Sequence, residues 1–115
     1  MCGIGFMLAS CPAEQVELDT CLSALRRRGP DADTTTLVQL QARITAALHL
    51  MAAVLHLRGE HMCLQPAEDA HGNILLWNGE VFGGLDVGPL ESDTSKVLQM
   101  LSGTSTHQQA RRKQR

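Results

Sequence analysis

The sequence predicts an α+β fold, because runs with strand character alternate with segments of helical period. Apolar or β-branched runs occupy positions 4–8, 34–40 and 74–77, and helical patterns occupy 10–28 and 94–101. The chain has 115 residues, of which 43% are hydrophobic, so it can bury one modest core. It holds one tryptophan, two phenylalanines and no tyrosine, so aliphatic side chains and methionine must build that core.

The first predicted helix carries the most complete set of signals. Ser10 can cap it, Pro12 suits its first turn, and acidic residues follow near its positive end. Arginines at 26–28 suit the last turn, and Gly29-Pro30 ends the helix. Four apolar side chains at the spacing i, i+3, i+4, i+7 give it one buried face: Leu18, Cys21, Leu22 and Leu25.

The middle of the chain has a weaker pattern. Between 44 and 57, alanines and leucines favour a helix by propensity, yet 53–57 also has the pattern of a buried strand. We favour the strand. Further on, residues 71–73 predict a turn before the strand at 74–77, and 83–89 predicts a loop.

The C-terminal part combines a short helix with a polar tail. Ser92 or Asp93 is expected to cap a helix over 94–101, with its apolar side chains facing inward. From 103 to 115 no apolar side chain is larger than alanine, and the last five residues include four cations. This composition predicts a disordered basic tail, and a nuclear-localisation or RNA-contacting role is the alternative to simple solvation.

Charge and cysteine usage narrow the classes of partner. The formal net charge of -2 argues against whole-domain attraction to nucleic acid or to a membrane. No apolar run reaches the roughly 18 residues of a membrane-spanning helix, and no export signal is found, so we expect a cytoplasmic protein with free thiols. The cysteines lack C-x-x-C spacing and the histidines are scattered, so neither a metal site nor another cofactor is expected.

Cys2 directly follows the initiator methionine and becomes the first residue once that methionine is removed. It then carries both a thiol and a free α-amine. Amines of this kind ordinarily titrate near about pH 8, so the amine can act as the base for its own nucleophile. The alternative is an N-terminal residue that simply frays.

Four motifs follow one another at 1–4, 28–31, 77–80 and 91–94: Met-Cys-Gly-Ile, Arg-Gly-Pro-Asp, Trp-Asn-Gly-Glu and Glu-Ser-Asp-Thr. Together they resemble the N-terminal glutaminase domain of class II glutamine amidotransferases, in the asparagine-synthetase branch. The runs at 55–59, 65–66 and 76–82 bring the likeness closer to the asparagine synthetase domain-containing protein 1 family. The likeness covers residues 1–102, which the resemblance implies are an incomplete type 2 glutamine amidotransferase domain.

This resemblance implies roles for six residues. Cys2 would attack the side-chain amide of L-glutamine to form a thioester and release ammonia. The Asn78 side chain and the Gly79 backbone N–H would stabilise the oxyanion. The other three would bind the substrate or support its pocket: Arg58 for the α-carboxylate, Asp93 for the α-amine, and Glu80.

The local sequence leaves simpler roles open at the same positions. Asn-Gly between apolar runs is the strongest short hairpin signal, although a tight turn is also compatible with presenting an amide beside an N–H. Asp93 could be only a helix cap, and Glu80 could be an exposed strand residue. Gly59-Glu60 departs from the family pattern after Arg58, and 28–31 also fits a helix end followed by a turn.

By resemblance the fold is an N-terminal-nucleophile hydrolase, with two antiparallel sheets packed between helix layers (αββα), and this chain would supply its first half. No nucleotide-binding loop of a synthetase is present in the sequence, so the ammonia-consuming domain is expected elsewhere. A half-sandwich would expose a strand edge and an apolar face, so we expect a truncated, marginally stable and weakly active glutaminase. The alternative is a non-catalytic polypeptide that binds a partner through this face or through the tail.

Overall fold

The computed structural model describes residues 1–10, 13–41 and 45–112, and at 45 and 104–112 it describes the backbone alone. In these residues it confirms an α+β fold with antiparallel sheets and two helices. Strands β1, β3 and β2, in that order, form one antiparallel sheet, and β4 pairs with β5 in a second. The strands are β1 (Gly3–Ala9), β2 (Ala32–Gln41), β3 (Thr45–Val54), β4 (Ala67–Glu68) and β5 (Ile74–Leu75), and the helices are α1 (Gln15–Arg26) and α2 (Asp93–Arg112).

The ambiguous central segment forms β3, the middle strand of the larger sheet, which confirms the strand interpretation. The strand ends at Val54 and not at Leu57 as predicted. Its pairing stops because the next groups of the chain are used elsewhere. The carbonyl of Val54 accepts the N–H of Asp31 at 3.0 Å, and the N–H of Leu55 donates to the Cys2 sulfur at 3.4 Å.

Helix α1 packs on one face of this sheet, and its predicted apolar face is confirmed. Leu18 and Leu22 are buried against Met51 of β3, with Cys21 and Leu25 packed beside them. On β1, the residues that face the helix include Gly3 and Gly5, which have no side chain. The end of α1 therefore approaches the strand closely. This contact forms the core of the described chain.

The predicted cap at Ser10 is wrong, since α1 begins after Glu14, whose N–H donates to the Glu17 carboxylate at 3.1 Å. This reciprocal arrangement of the first turn replaces a serine cap. The preceding Ala13 is fixed to the sheet, because its N–H donates to Nε2 of the buried His49 at 2.9 Å. The predicted role of Pro12 falls outside the described residues.

Asp69 organises the turn between β4 and β5. Its carboxylate accepts the N–H groups of His71 at 2.8 Å and Asn73 at 2.9 Å, the Asn73 amide at 2.7 Å and the hydroxyl of Ser102. The predicted turn is thereby confirmed, with Gly72 at a φ of 80°. Strand β5 ends at Leu75, two residues earlier than predicted, because the backbone beyond it bonds to a side chain and not to a strand.

These bonds make the stability of the turn depend on pH. They lower the pKa of Asp69 well below its ordinary value, and the Asn73 amide is the largest cause, followed by the Ser102 hydroxyl. A carboxyl group with a lowered folded pKa stabilises the fold above its unfolded pKa of about 3.9, and this contribution is lost as the pH falls through the folded pKa. We expect Asp69→Ala to flatten the loss of melting temperature below about pH 4, measured by thermal melts.

Ser102→Ala removes only one of these bonds and should give an intermediate slope. An Asp69→Ala protein whose melting temperature falls with acid as steeply as that of the wild type would contradict this assignment.

Helix α2 begins after Ser92, whose hydroxyl oxygen accepts the N–H of Ser95 at 3.1 Å, so the predicted helix start is confirmed. The helix continues beyond the predicted end at Leu101, to Arg112. The division of the chain into a domain at 1–102 and a tail at 103–115 stays a prediction. Within the described ranges, no helix is long and apolar enough to span a membrane.

Candidate active site

A cavity of about 590 Å³ opens where the end of β3 meets the start of α2 and the segments 55–58 and 77–82. These elements come from distant parts of the sequence, and the fold brings their functional side chains to one place. The lining contains all six residues that the resemblance singled out: Cys2, Arg58, Asn78, Gly79, Glu80 and Asp93.

Cys2 is half-buried and lies directly before β1. Its Sγ accepts the N–H of Leu55 at 3.4 Å and lies 3.8 Å from the carbonyl oxygen of the same residue. Since Leu55 is the first residue after β3, the thiol is held at the end of the central strand. The thiol is therefore fixed by backbone groups and still faces the cavity.

The motif at 28–31 supports this thiol through backbone contacts. Arg28 donates from Nε to the carbonyl oxygen of Cys2 at 3.3 Å. The Asp31 carboxylate accepts the N–H of His56 at 2.7 Å, and its own N–H donates to Val54. These two bonds hold Val54 and His56, which flank Leu55, the residue that contacts the Cys2 sulfur. The motif therefore positions the site in addition to ending a helix.

Gly29 lets the motif come this close to β3. It is buried, and a Cβ at this position would lie 2.1 Å from the carbonyl oxygen of Ala53, far inside contact distance. Glycine is required here because there is no room for a side chain. Its φ is not the reason, because Gly29 is not among the described residues with a positive φ. The helix-end interpretation from sequence missed this reason.

Asn78 and Gly79 line the cavity but do not form the predicted hairpin turn, which is therefore wrong. Residues 76–82 belong to neither a strand nor a turn, and Gly79 does not have the positive φ that such a turn requires. Gly79 is instead packed against an aromatic ring, because a Cβ there would lie 2.8 Å from the indole of Trp77. Residues 77–82 all line the cavity.

Two polar atoms in this wall lack a hydrogen-bond partner among the described residues. They are Oδ1 of Asn78 and Nε1 of Trp77, and both are buried. A buried polar atom left without a partner costs about 1–3 kcal/mol.

Arg58 and Asp93 form an ion pair at the cavity, with Nη1 and Oδ1 3.1 Å apart. Asp93 is buried and its Oδ2 accepts the N–H of Val81 at 2.7 Å. Since Ser92 caps the helix, the alternative that Asp93 is only a cap is wrong. Its carboxylate joins α2 to the two segments that line the cavity.

The guanidinium of Arg58 keeps donors for a further partner. Nη1 also donates to the Val81 carbonyl at 3.5 Å, and Nη2 donates to the Val87 carbonyl at 3.0 Å. A guanidinium has five N–H groups, so the described contacts leave Nε–H and one N–H of Nη2. Guanidinium N–H groups are suited to binding the oxygens of a carboxylate.

Glu80 is exposed at the cavity rim and lies outside any strand, so the alternative of an exposed strand residue is wrong. Phe82 follows on the same rim and is 91% exposed. Among the described residues, no group of three histidine, cysteine or acidic side chains is placed to hold a metal ion.

Gln65 is the structural residue of the site that sequence reasoning missed, although its Gln-Pro motif contributed to the resemblance. It is 1% exposed, and its side-chain oxygen accepts the N–H of Trp77 at 2.6 Å. Its side-chain nitrogen donates to the Thr94 hydroxyl at 3.4 Å, and its backbone carbonyl accepts the hydroxyl of Thr34. The side chain and backbone of this one buried residue therefore join the larger sheet, α2 and the Asn78 segment.

We expect Gln65→Leu to destabilise the protein by about 1–3 kcal/mol, because it leaves the buried N–H of Trp77 without an acceptor. The single tryptophan reports the change directly, so its fluorescence emission should shift to longer wavelength in the folded variant, alongside a lower melting temperature. The exposed Gln39→Leu is the control. Equal melting temperatures and equal emission in the two variants would contradict the role of Gln65.

Comparison with known proteins shows several sequence relatives that share one name, asparagine synthetase domain-containing protein 1. The Mus musculus protein is 38% identical over 101 residues, which is 88% of this chain and 15% of the relative. The Gallus gallus and Homo sapiens proteins are 42% and 40% identical over 78 residues, each 68% of this chain and 12% of the relative. The chain belongs to the asparagine-synthetase-like family. This confirms the resemblance drawn from the ordered motifs.

The chain spans only 12–15% of the length of these relatives. No protein-family model matches it, and no solved structure matches it. The kinship is therefore established by sequence, and the four-layer N-terminal-nucleophile architecture stays a prediction.

Proposed function

We propose that the cavity is the glutaminase site of a class II glutamine amidotransferase, with Cys2 as the nucleophile. The observation that carries the proposal is the convergence of six residues, predicted from four separate stretches, on one cavity. The relatives' shared name, asparagine synthetase domain-containing protein 1, supports a link to asparagine synthesis. In the proposed reaction the chain releases ammonia, which a synthetase domain would use.

The proposed chemistry requires removal of Met1, which is 68% exposed and so accessible to an aminopeptidase. The α-amine of Cys2 then takes the thiol proton as Sγ attacks the side-chain amide carbon of L-glutamine. Collapse of the tetrahedral intermediate breaks the C–N bond, and the same proton goes to the leaving nitrogen as ammonia departs. Water then hydrolyses the thioester to give glutamate and regenerate the thiol.

The position of Asn78 in the cavity lining supports an oxyanion role. Asn78 lines the cavity, and the resemblance assigns the NH₂ group of its amide to the intermediate. The intermediate's oxygen could then accept hydrogen bonds from this amide and from the backbone N–H of Gly79. Such donors act because they are in place before the negative charge develops.

The ion pair at the other side of the cavity supports recognition of the zwitterionic end of glutamine. The unused N–H groups of Arg58 suit the α-carboxylate, and the Asp93 carboxylate has unused lone pairs for the α-ammonium. Because the two charges already neutralise each other, an amino acid can bind without leaving either charge unpaired. Glu80 at the rim would support this end of the pocket.

The proposal is tested by glutamate release from L-glutamine, after intact mass has verified that Met1 is absent. Cys2→Ala should abolish release, whereas Cys21→Ala, which changes a free thiol on α1 outside the cavity, should leave it unchanged. A folded, Met1-free chain that releases no glutamate would instead support the non-catalytic, partner-binding alternative.

A further inference from the structure

The segment that carries the proposed oxyanion donors is anchored at two points. At one end, the N–H of Trp77 donates to the side-chain oxygen of Gln65 at 2.6 Å. At the other end, the N–H of Val81 donates to the Asp93 carboxylate at 2.7 Å. Between these points, the backbone of residues 78–80 makes no hydrogen bond within the part of the chain that the structure describes. The placement of these residues therefore depends on the two anchors.

Both anchors lead to the first turn of α2. Asp93 is the direct partner of Val81. Thr94, the next residue, accepts the side-chain N–H of Gln65 at 3.4 Å. Gln65 and Thr94 are 1% and 8% exposed, so little water competes for this bond. One turn of helix therefore holds both ends of the segment, directly at Val81 and through Gln65 at Trp77.

The amide of Gln65 makes this link in one orientation only. A side-chain amide has an oxygen that accepts hydrogen bonds and a nitrogen that donates them. Because the backbone N–H of Trp77 can only donate, the oxygen must face Trp77, and the nitrogen then faces Thr94. With its side chain buried and both polar atoms bonded, Gln65 fixes the Trp77 backbone to α2.

Trp77 passes this restraint on to both proposed donors. It directly precedes Asn78 in the chain. Its indole ring packs against Gly79, where a Cβ would lie 2.8 Å from the ring. A shift of the Trp77 backbone would therefore move the Asn78 amide and the Gly79 N–H together.

We propose that Gln65 is a positioning residue of the glutaminase reaction, which places the Asn78 amide and the Gly79 N–H at the oxyanion. The inference rests on the proposed function of the cavity. Oxyanion donors must be in place before the charge develops, and a misplacement of about 1 Å can lower a rate by roughly 10²-fold. Arg58 and Asp93 bond to each other and not to Gln65, so substrate binding should depend little on this residue.

Gln65→Leu in the Met1-free chain tests this role through two readouts. It should lower kcat for glutamate release by roughly 10–100-fold and leave KM within about threefold of the wild type. Alkylation of Cys2 by iodoacetamide forms no oxyanion, so its rate should stay within about twofold of the wild type. A merely structural loss would instead lower both rates in proportion to the folded fraction, which circular dichroism measures at the assay temperature. The exposed Gln39→Leu is the control and should match the wild type in both.

Two variants of Thr94 test the same link without changing Gln65, and they decide the matter if Gln65→Leu does not fold. Thr94→Val keeps the shape of the side chain but removes the oxygen that accepts the Gln65 amide, so kcat should fall by about 3–10-fold. Thr94→Ser keeps the hydroxyl and should hold kcat within about twofold of the wild type.

The possible failures are distinguishable. An active wild type whose folded Gln65→Leu variant keeps its kcat, or loses kcat and the alkylation rate to the same extent, would overturn the positioning role and leave the proposed function standing. Equal kcat values for Thr94→Val and Thr94→Ser would have the same meaning. A folded, Met1-free wild type that releases no glutamate would overturn the proposed function, and the positioning role with it.

Discussion

Gly29→Ala is expected to destabilise the protein by at least about 3 kcal/mol, because the new methyl group would lie 2.1 Å from the carbonyl oxygen of Ala53. This oxygen belongs to the backbone of the central strand, so relief requires the motif and the strand to separate. A change of this size lowers the melting temperature of a domain of this length by roughly 12 °C or more. Thermal unfolding followed by circular dichroism measures it.

Gly83→Ala is the matched control, since a Cβ at Gly83 meets nothing within 4 Å and its φ is not positive. It should change the free energy of unfolding by less than about 0.5 kcal/mol. Equal melting temperatures for the two alanine variants would show that the contact between Gly29 and β3 is not a feature of the folded chain.

Asn78→Ala is expected to lower kcat for glutamate release by roughly 10²–10³-fold with little change in KM, because it removes a donor that acts on the oxyanion and not on the bound substrate. The steady-state rate as a function of glutamine concentration separates the two parameters. The exposed Gln39→Ala, which removes an amide far from the cavity, should leave both unchanged. A fall confined to KM would place Asn78 in substrate binding and contradict the oxyanion role.

Much of the fold could be predicted because local and tertiary preferences agree. The face of α1 formed by Leu18 and Leu22 is also the face that meets Met51, so helical period and packing predict the same contact. Strand β3 was harder, since its alanines fit a helix by propensity. The segment is a strand because it pairs with β1 on one side and β2 on the other. These partners lie elsewhere in the chain, so local sequence does not reveal them.

The departures from prediction share a physical cause, which is competition from long-range partners. Trp77 leaves the strand because the distant side chain of Gln65 accepts its N–H. Asp93 is not the helix cap because Arg58 and Val81 take its carboxylate, and the neighbouring Ser92 caps the helix. Sequence alone shows that each residue can make such bonds but not which partner the fold will bring near.

The six candidate site residues could be named from the ordered motifs, because each motif keeps its chemistry in a short run. The residues that position them could not. The role of Asp31 depends on two backbone groups that flank Leu55, and the role of Gln65 depends on three elements that meet only in the folded chain. Neither role leaves a periodic or charge signal in the sequence.

The most direct test of the central claim is covalent labelling of the Met1-free chain with an electrophilic glutamine analogue such as 6-diazo-5-oxo-L-norleucine, read by intact mass and peptide mapping. We predict a single adduct on Cys2, prevented by excess L-glutamine, absent in Cys2→Ala and retained in Cys21→Ala. Labelling that L-glutamine does not prevent, that falls equally on Cys21 or Cys63, or that fails on the folded Met1-free chain would contradict Cys2 as a glutaminase nucleophile.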